Sequence, residues 1–222
     1  MKVLMINSVC GVGSTGRICT DIADVLTENG HECKIAFGRK AAPERYRKYA
    51  YRITSDSGVK INALKARLFD NEGFNATGAT KKLVSFIEKY NPDVIHLHNL
   101  HGYYLNAEVL FDYLKKTDKK VIWTLHDCWA FTGHCAYFDY PECNKWKENC
   151  GGCGRLNDYP KAITDRAKRN LAKKREIFTG VKNLTIVTPS KWLAELTKQS
   201  FLGEYPVKVI NNGIDTAVFR PT

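Results

Sequence analysis

Residues 11–17 read GVGSTGR, which puts Gly11, Gly13 and Gly16 at the G-x-G-x-x-G spacing that cradles a pyrophosphate. The chemistry is that of the backbone. Glycines let an anion approach the main chain, and the free N–H groups and dipole of a following helix attract it. A dinucleotide site also needs a carboxylate about 20 residues on, at the end of the second strand, for the ribose hydroxyls. Gly38, Arg39 and Lys40 stand there instead, and the first carboxylate, Glu44, lies beyond Pro43. That argues against NAD, while Arg39 keeps an NADP site open. Arg17, at the start of the helix, can present its guanidinium to the same anion.

A second group of residues is rich in thiols. Cys135, Cys143, Cys150 and Cys153 form C-x7-C-x6-C-x2-C, with Cys128 and His134 close by. Four thiolates ending in a C-x-x-C knuckle suit a tetrahedral structural zinc, although the first spacing is longer than in common zinc ribbons. Disulfides and free thiols are the rival readings. The stretch shows little apolar content beyond Trp146 and its neighbours, so a metal would order it. Cys10, Cys19 and Cys33 read as buried small hydrophobes.

These groups need a scaffold, and the sequence supplies one by alternation. KVLMI (2–6), ECKIAF (32–37), DVIHLHN (93–99), VIWTL (121–125), LTIVT (184–188) and VKVI (207–210) read as buried strands. Between them lie helical patterns: one with Ile18, Ile22, Val25 and Leu26 on one face, then 79–90, 107–116 and SKWLAELTK. Ser14 or Thr15 would cap the first helix and Gly30 would end it. Residues 38–52 read as a basic surface loop, and residues 127–158 as a cysteine-rich insertion. Pro160 is placed to open a basic helix reaching Phe178. The pattern predicts a Rossmann-like α/β domain over 1–210, a parallel sheet covered by helices on both faces. His98, Asn99 and His101 then end a strand at the sheet edge where ligands lie, to bind a ligand or shape the crevice.

The 222 residues carry a net charge of +11 and 44% hydrophobic content. Such a balance favours anionic partners or a soluble enzyme with a basic surface. No apolar run approaches the roughly 18 residues of a membrane span, and the first strand is too short for a signal peptide. The expected compartment is the cytoplasm, where stable disulfides are disfavoured among the eight cysteines.

GSTGRICTDIADVLTENGHE, PDVIHLHNLHGYYLN, TLHDCWAFTGHC, VTPSKW and NNGID-x-x-x-F-x-P occur in this order along nearly the whole chain. Together they resemble the N-terminal domain of retaining GT-B glycosyltransferases of family 4, of the bacterial polysaccharide-assembly type. The resemblance implies a nucleotide-sugar donor, UDP- or GDP-linked, and a saccharide or lipid-linked acceptor. Gly13, Gly16 and Arg17 would approach the donor diphosphate and stabilise the leaving group. His126 matches the family histidine that contacts the donor sugar, with Asp127 placed to orient it. His98, Asn99 and His101 would serve the acceptor. No cofactor is implied for catalysis, and no Asp-x-Asp pair occurs for a metal-dependent sugar transfer. The family's C-terminal glutamate pair, separated by seven residues, is also missing. Residues 211–222 therefore read as a connector to a C-terminal nucleotide-sugar-binding domain, and this chain alone as inactive.

Two basic stretches, RKAAPERYRKYAYR and RAKRNLAKKR, suggest peripheral contact with anionic lipid on the inner face of the cell membrane. The second would dock on the core through a thin stripe of Ile163, Leu171 and Phe178 while its lysines face the lipid. Two other functions compete with the transferase reading. One is an NADP-dependent oxidoreductase using the Gly11–Gly13–Gly16 loop. The other is a zinc-containing nucleic-acid binder, against which dispersed charge and the unused HLHN and HDCW motifs argue; no nucleic acid is expected as partner.

Overall fold

A computed structural model describes residues 1–139, 142–214 and 216. The strands are β1 (Lys2–Asn7), β2 (Glu32–Phe37), β3 (Ala50–Arg52), β4 (Val94–Leu97), β5 (Lys120–Thr124), β6 (Leu184–Thr188) and β7 (Val207–Val209). They form one parallel sheet in the order β3-β2-β1-β4-β5-β6-β7. The helices are α1 (Gly13–Glu28), α2 (Asp56–Phe69), α3 (Thr77–Tyr90), α4 (Ala107–Leu114), α5 (Ala167–Phe178) and α6 (Lys191–Gln199). None of the described helices is long and apolar enough to cross a membrane.

The period-2 pattern of β1 divides the core between two faces. Val3 and Met5 point to one side with Cys10, Cys19, Cys33 and Ile35, under α1. Leu4 and Ile6 point to the other, into a larger core with Ile95, Leu97, Phe111, Trp123 and Phe178. The three N-terminal cysteines are buried, as small hydrophobes would be. The strand order reverses between β1 and β4. The carboxyl ends of β1, β4 and β5 therefore stand side by side at the switch point, where open α/β sheets bind ligands.

Several expectations fail for identifiable reasons. The basic stretch after Gly38 is not all loop, because Ala50–Arg52 pairs with Ile35–Phe37 as an edge strand. Helix α2 has no counterpart in the sequence reading, although Ile61, Leu64 and Leu68 follow a helical spacing; these stay exposed, and the helix buries only Asn62 and Ala66. Pro160 follows a cis peptide bond and starts no helix; α5 begins at Ala167. Leu171 and Phe178 do dock α5 on the core, but Ile163 is exposed and lies before the helix, and Lys174 is buried with them. The N-cap of α1 is Val12, not Ser14 or Thr15. The tail motif NNGID-x-x-x-F-x-P falls largely on residue 215 and residues 217–222, outside the described residues.

The insertion is also better packed than its composition suggested. Trp129, Phe131, Phe138 and Trp146 are buried, with Phe131 and Phe138 centroids 5.3 and 4.9 Å from Trp146. The loop thus has an aromatic core continuous with the main one.

Candidate functional site at the sheet switch point

The glycine loop leaves β1 and enters α1. Gly11 and Gly13 have φ of +69° and +67°, a conformation glycine adopts at little cost. Gly16 packs tightly: a Cβ there would come 3.1 Å from the Gly11 nitrogen and 3.0 Å from Val9 Cγ2. The first turn of α1 has no side-chain cap and no acidic residue, so its N–H groups and positive dipole end remain available to an anion. Arg17 is exposed on that turn.

Asn7, which the sequence reading passed over, ties this loop to its neighbour. Its side-chain nitrogen donates to Val9 O at 2.8 Å and Thr15 Oγ1 at 3.3 Å. Its side-chain oxygen accepts from the Asn99 N–H at 3.3 Å. A fully buried amide at the end of an apolar strand was the one available hint.

The histidines after β4 and β5 form a chain. His98 Nδ1 and His126 Nε2 are 3.0 Å apart, and His96 Nε2 meets Thr124 Oγ1 at 2.8 Å. Burial lowers His96 and His126 to about 4 and holds His98 well below the usual imidazole range, so all three rings are neutral near pH 7. His98 Nε2 is buried without a partner. An orphaned N–H is rarer and costlier than an orphaned acceptor, which puts the His98 proton on Nδ1, donating to His126 Nε2. His126, half-buried, then carries its own proton on Nδ1, which makes no hydrogen bond among the described residues.

Asp127 does not orient His126, contrary to expectation. Its Oδ2 accepts from His101 Nε2 at 2.8 Å and its Oδ1 from the Trp129 N–H at 2.9 Å. Burial pushes the Asp127 carboxyl up, but the His101 ring and the Trp129 N–H outweigh this and hold it below the usual carboxylate range. The ionised carboxylate fixes the His101 proton on Nε2, so Nδ1 accepts from the Tyr159 hydroxyl at 2.9 Å. Tyr159, brought in by the insertion, was not foreseen. His98 and His101 are buried, leaving Asn99 the most accessible of the three presumed acceptor residues.

Two buried ionisable side chains brace the surroundings. Glu72 Oε1 accepts from the Gly102 and Tyr103 N–H groups, and both residues have positive φ. Burial raises Glu72, against the pull of those two donors. Lys174 Nζ donates to Trp129 O at 2.7 Å and Thr132 O at 3.0 Å and sits 3.7 Å from the Trp129 ring centroid. Burial lowers it to about 7, opposed by Asp70, Cys135 and Cys150.

The thiols lie away from the sheet edge, within the insertion. Cys150 Sγ accepts from the Gly133 N–H at 3.3 Å. Burial raises Cys135 to about 11 and also raises Cys150 and Cys153, and neighbouring thiols of the cluster add to each shift. Next to them, His134 Nδ1 meets Asp70 Oδ1 at 2.6 Å, and its Nε2 is buried without a partner. All four cysteines are free, and no three Cys, His, Asp or Glu side chains among the described residues are arranged to hold a metal ion.

Comparison with known proteins agrees with this geometry. A family model described as Glycosyltransferase Family 4 matches residues 15–218. The Escherichia coli (strain K12) protein WcaC, described as a colanic acid biosynthesis glycosyl transferase, is 28% identical over 229 residues, covering 98% of this chain and 55% of its own length. Sucrose-phosphate synthase from Thermosynechococcus elongatus has a similar fold, with a TM-score of 0.57 at 12% identity. That match covers 100% of this chain and 50% of the synthase. The chain thus spans about half the length of each.

Proposed function

Because the chain belongs to Glycosyltransferase Family 4, we propose that it forms the acceptor-side half of a retaining, metal-independent transferase acting in polysaccharide assembly. The observation that carries the reading is the placement of an uncapped, glycine-entered helix N-terminus after β1 and of His126 after β5, on the same sheet edge with the end of β4 between them. The donor is a nucleotide sugar, UDP- or GDP-linked, and the acceptor a saccharide or lipid-linked sugar.

The chemistry is position and charge. The N–H groups beyond Gly13, with Gly16 close beneath and Arg17 beside, stabilise the negative charge on the departing diphosphate. The His126 Nδ1–H donates to a hydroxyl of the donor sugar, held in that tautomer by His98. The acceptor oxygen bonds to the anomeric carbon as the bond to the phosphate oxygen breaks. The acceptor's proton passes to that phosphate oxygen, giving glycoside and nucleoside diphosphate. No side-chain nucleophile is assigned. Asn99 stands nearest the acceptor, and His98 and His101 act as positioning residues behind it.

Thermal shift against UDP, GDP and NADP tests the reading. Stabilisation by a nucleoside diphosphate, lost in Arg17→Ala, supports it; a response to NADP alone would overturn it in favour of the oxidoreductase. Sugar transfer by residues 1–222 alone would refute the assignment of this chain as half of a site.

For the insertion, the proposal is a structural zinc at Cys135, Cys143, Cys150 and Cys153. Donor chemistry supports it: free thiols that feel one another's charge. Zinc would have to draw the sulfurs together, and the aromatic core already orders the loop without it. About one zinc per purified chain, with these thiols protected until denaturation, supports the site. Metal-free protein with four reactive thiols excludes it.

A further inference from the structure

The outer face of α2 is apolar and uncovered. Ile61, Leu64 and Leu68 follow at i, i+3 and i+7, and each is exposed, by 55%, 59% and 40%. Asn62 and Ala66, on the opposite side, are buried, and Asn62 Nδ2 donates to Tyr103 O at 3.0 Å. The helix therefore lies over the loop that follows His101. Phe69 extends the patch at the helix end, 46% exposed. Ile163, between the insertion and α5, joins it there, 65% exposed, with its N–H on Arg67 O at 2.7 Å. Thr164 Oγ1 donates to Leu68 O beside it.

Cations border this patch. At 100° per residue, Lys60 and Arg67 flank the stripe on one side and Lys65 on the other, all exposed. Lys161 is exposed next to Ile163, and Arg166 lies 5.7 Å from the Phe69 ring centroid. The carboxylates nearby are engaged: Asp56 with Arg52, Asp70 with His134, and Asp165 with the Cys153 and Ala167 N–H groups. An amphipathic face with a cationic border on a chain of net charge +11 complements one surface, that of an anionic bilayer.

We propose that α2 and the Ile163 turn form a membrane-docking surface that seats the leucines at the lipid headgroup boundary, with the lysines on anionic headgroups. This places the membrane contact on α2 rather than α5, whose stripe of Leu171 and Phe178 faces the core and takes Lys174 with it. It deepens the lipid-linked-acceptor reading and rests on it, because the helix that docks packs its inner face on the Tyr103 loop.

The test is flotation of residues 1–222 with vesicles of phosphatidylcholine, alone or with about one-third phosphatidylglycerol. Binding to the anionic vesicles, weakened by salt, is the expected result. Leu64→Glu with Leu68→Glu reduces it by about tenfold or more, as does Lys60→Glu with Lys65→Glu. Both pairs are on the surface, and thermal unfolding checks that each variant folds. Equal binding by wild type and variants overturns the proposal. So does lipid-free self-association that the leucine variant abolishes, which would mean a second copy covers the patch. A longer chain of the same protein that no longer binds vesicles also overturns it. Loss of vesicle binding with the nucleotide response intact would sink this proposal and leave the transferase reading standing.

Discussion

Replacing Asp127 by Asn exchanges one carboxylate oxygen for an N–H donor and removes the charge. To keep the Trp129 N–H satisfied, Asn must retain its oxygen at the Oδ1 position and turn its nitrogen toward His101 Nε2. The imidazole then moves its proton to Nδ1, and the Tyr159 hydroxyl changes from donor to acceptor. All partners remain bonded, so the loss is the difference between a charge-assisted hydrogen bond and a neutral one. Net contributions of about 1.5–3 and 0.5–1.5 kcal/mol leave a destabilisation of about 1–2 kcal/mol. For a chain of this size that corresponds to about 3–6 °C in Tm. Thermal unfolding at pH 7 measures the loss, and ¹⁵N chemical shifts of the His101 ring report the tautomer. An unchanged Tm together with a proton still on Nε2 would refute the assignment of Asp127 as the group that sets this ring.

The buried histidines set an acid limit. His96 and His126 are lowered to about 4, whereas unfolded rings titrate near 6.5. Their contribution is complete above pH 6.5 and is lost as pH falls toward 4, on the order of 2 kcal/mol for both, since each keeps some contact with water; denaturant unfolding at pH 7 and pH 4.5 measures it. Gly38→Ala would set a Cβ 1.9 Å from Tyr104 Cβ, so it should lose about 3 kcal/mol or more, visible as a lowered Tm or insoluble protein. Gly133→Ala, whose Cβ would sit 2.1 Å from Ala167 O, should detach the insertion from α5 and raise the reactivity of Cys150 in thiol titration.

The legible parts of the fold were those where a single period dominates. β1, β2 and β6 were readable because continuous apolar runs are buried on both faces. Placing the histidines needed only strand ends and the switch-point rule. Their pairing was not readable: adjacency in sequence linked Asp127 to His126, whereas side chains of adjacent residues diverge and the carboxylate met His101, which follows the neighbouring strand. The period of Ile61, Leu64 and Leu68 in helix α2 was there to be read, but it would have assigned the buried side wrongly, because these residues face outward and Asn62 and Ala66 face in. Lys174 escaped because charge alone suggests solvent; two carbonyl acceptors and an aromatic ring make its burial tolerable.

Asn7 joins the glycine loop to the loop after β4 through one amide inside the core. The relative placement of the two is therefore set when the chain folds, not when a ligand arrives. Under the proposed transferase reading, a donor entering beside α1 would meet the loop after β4 already in register and lose less entropy in aligning with an acceptor there. It also makes independent tuning difficult. Asn7→Leu would loosen both loops together, so variants selected for a new acceptor would tend to keep this residue and change the rim around it instead.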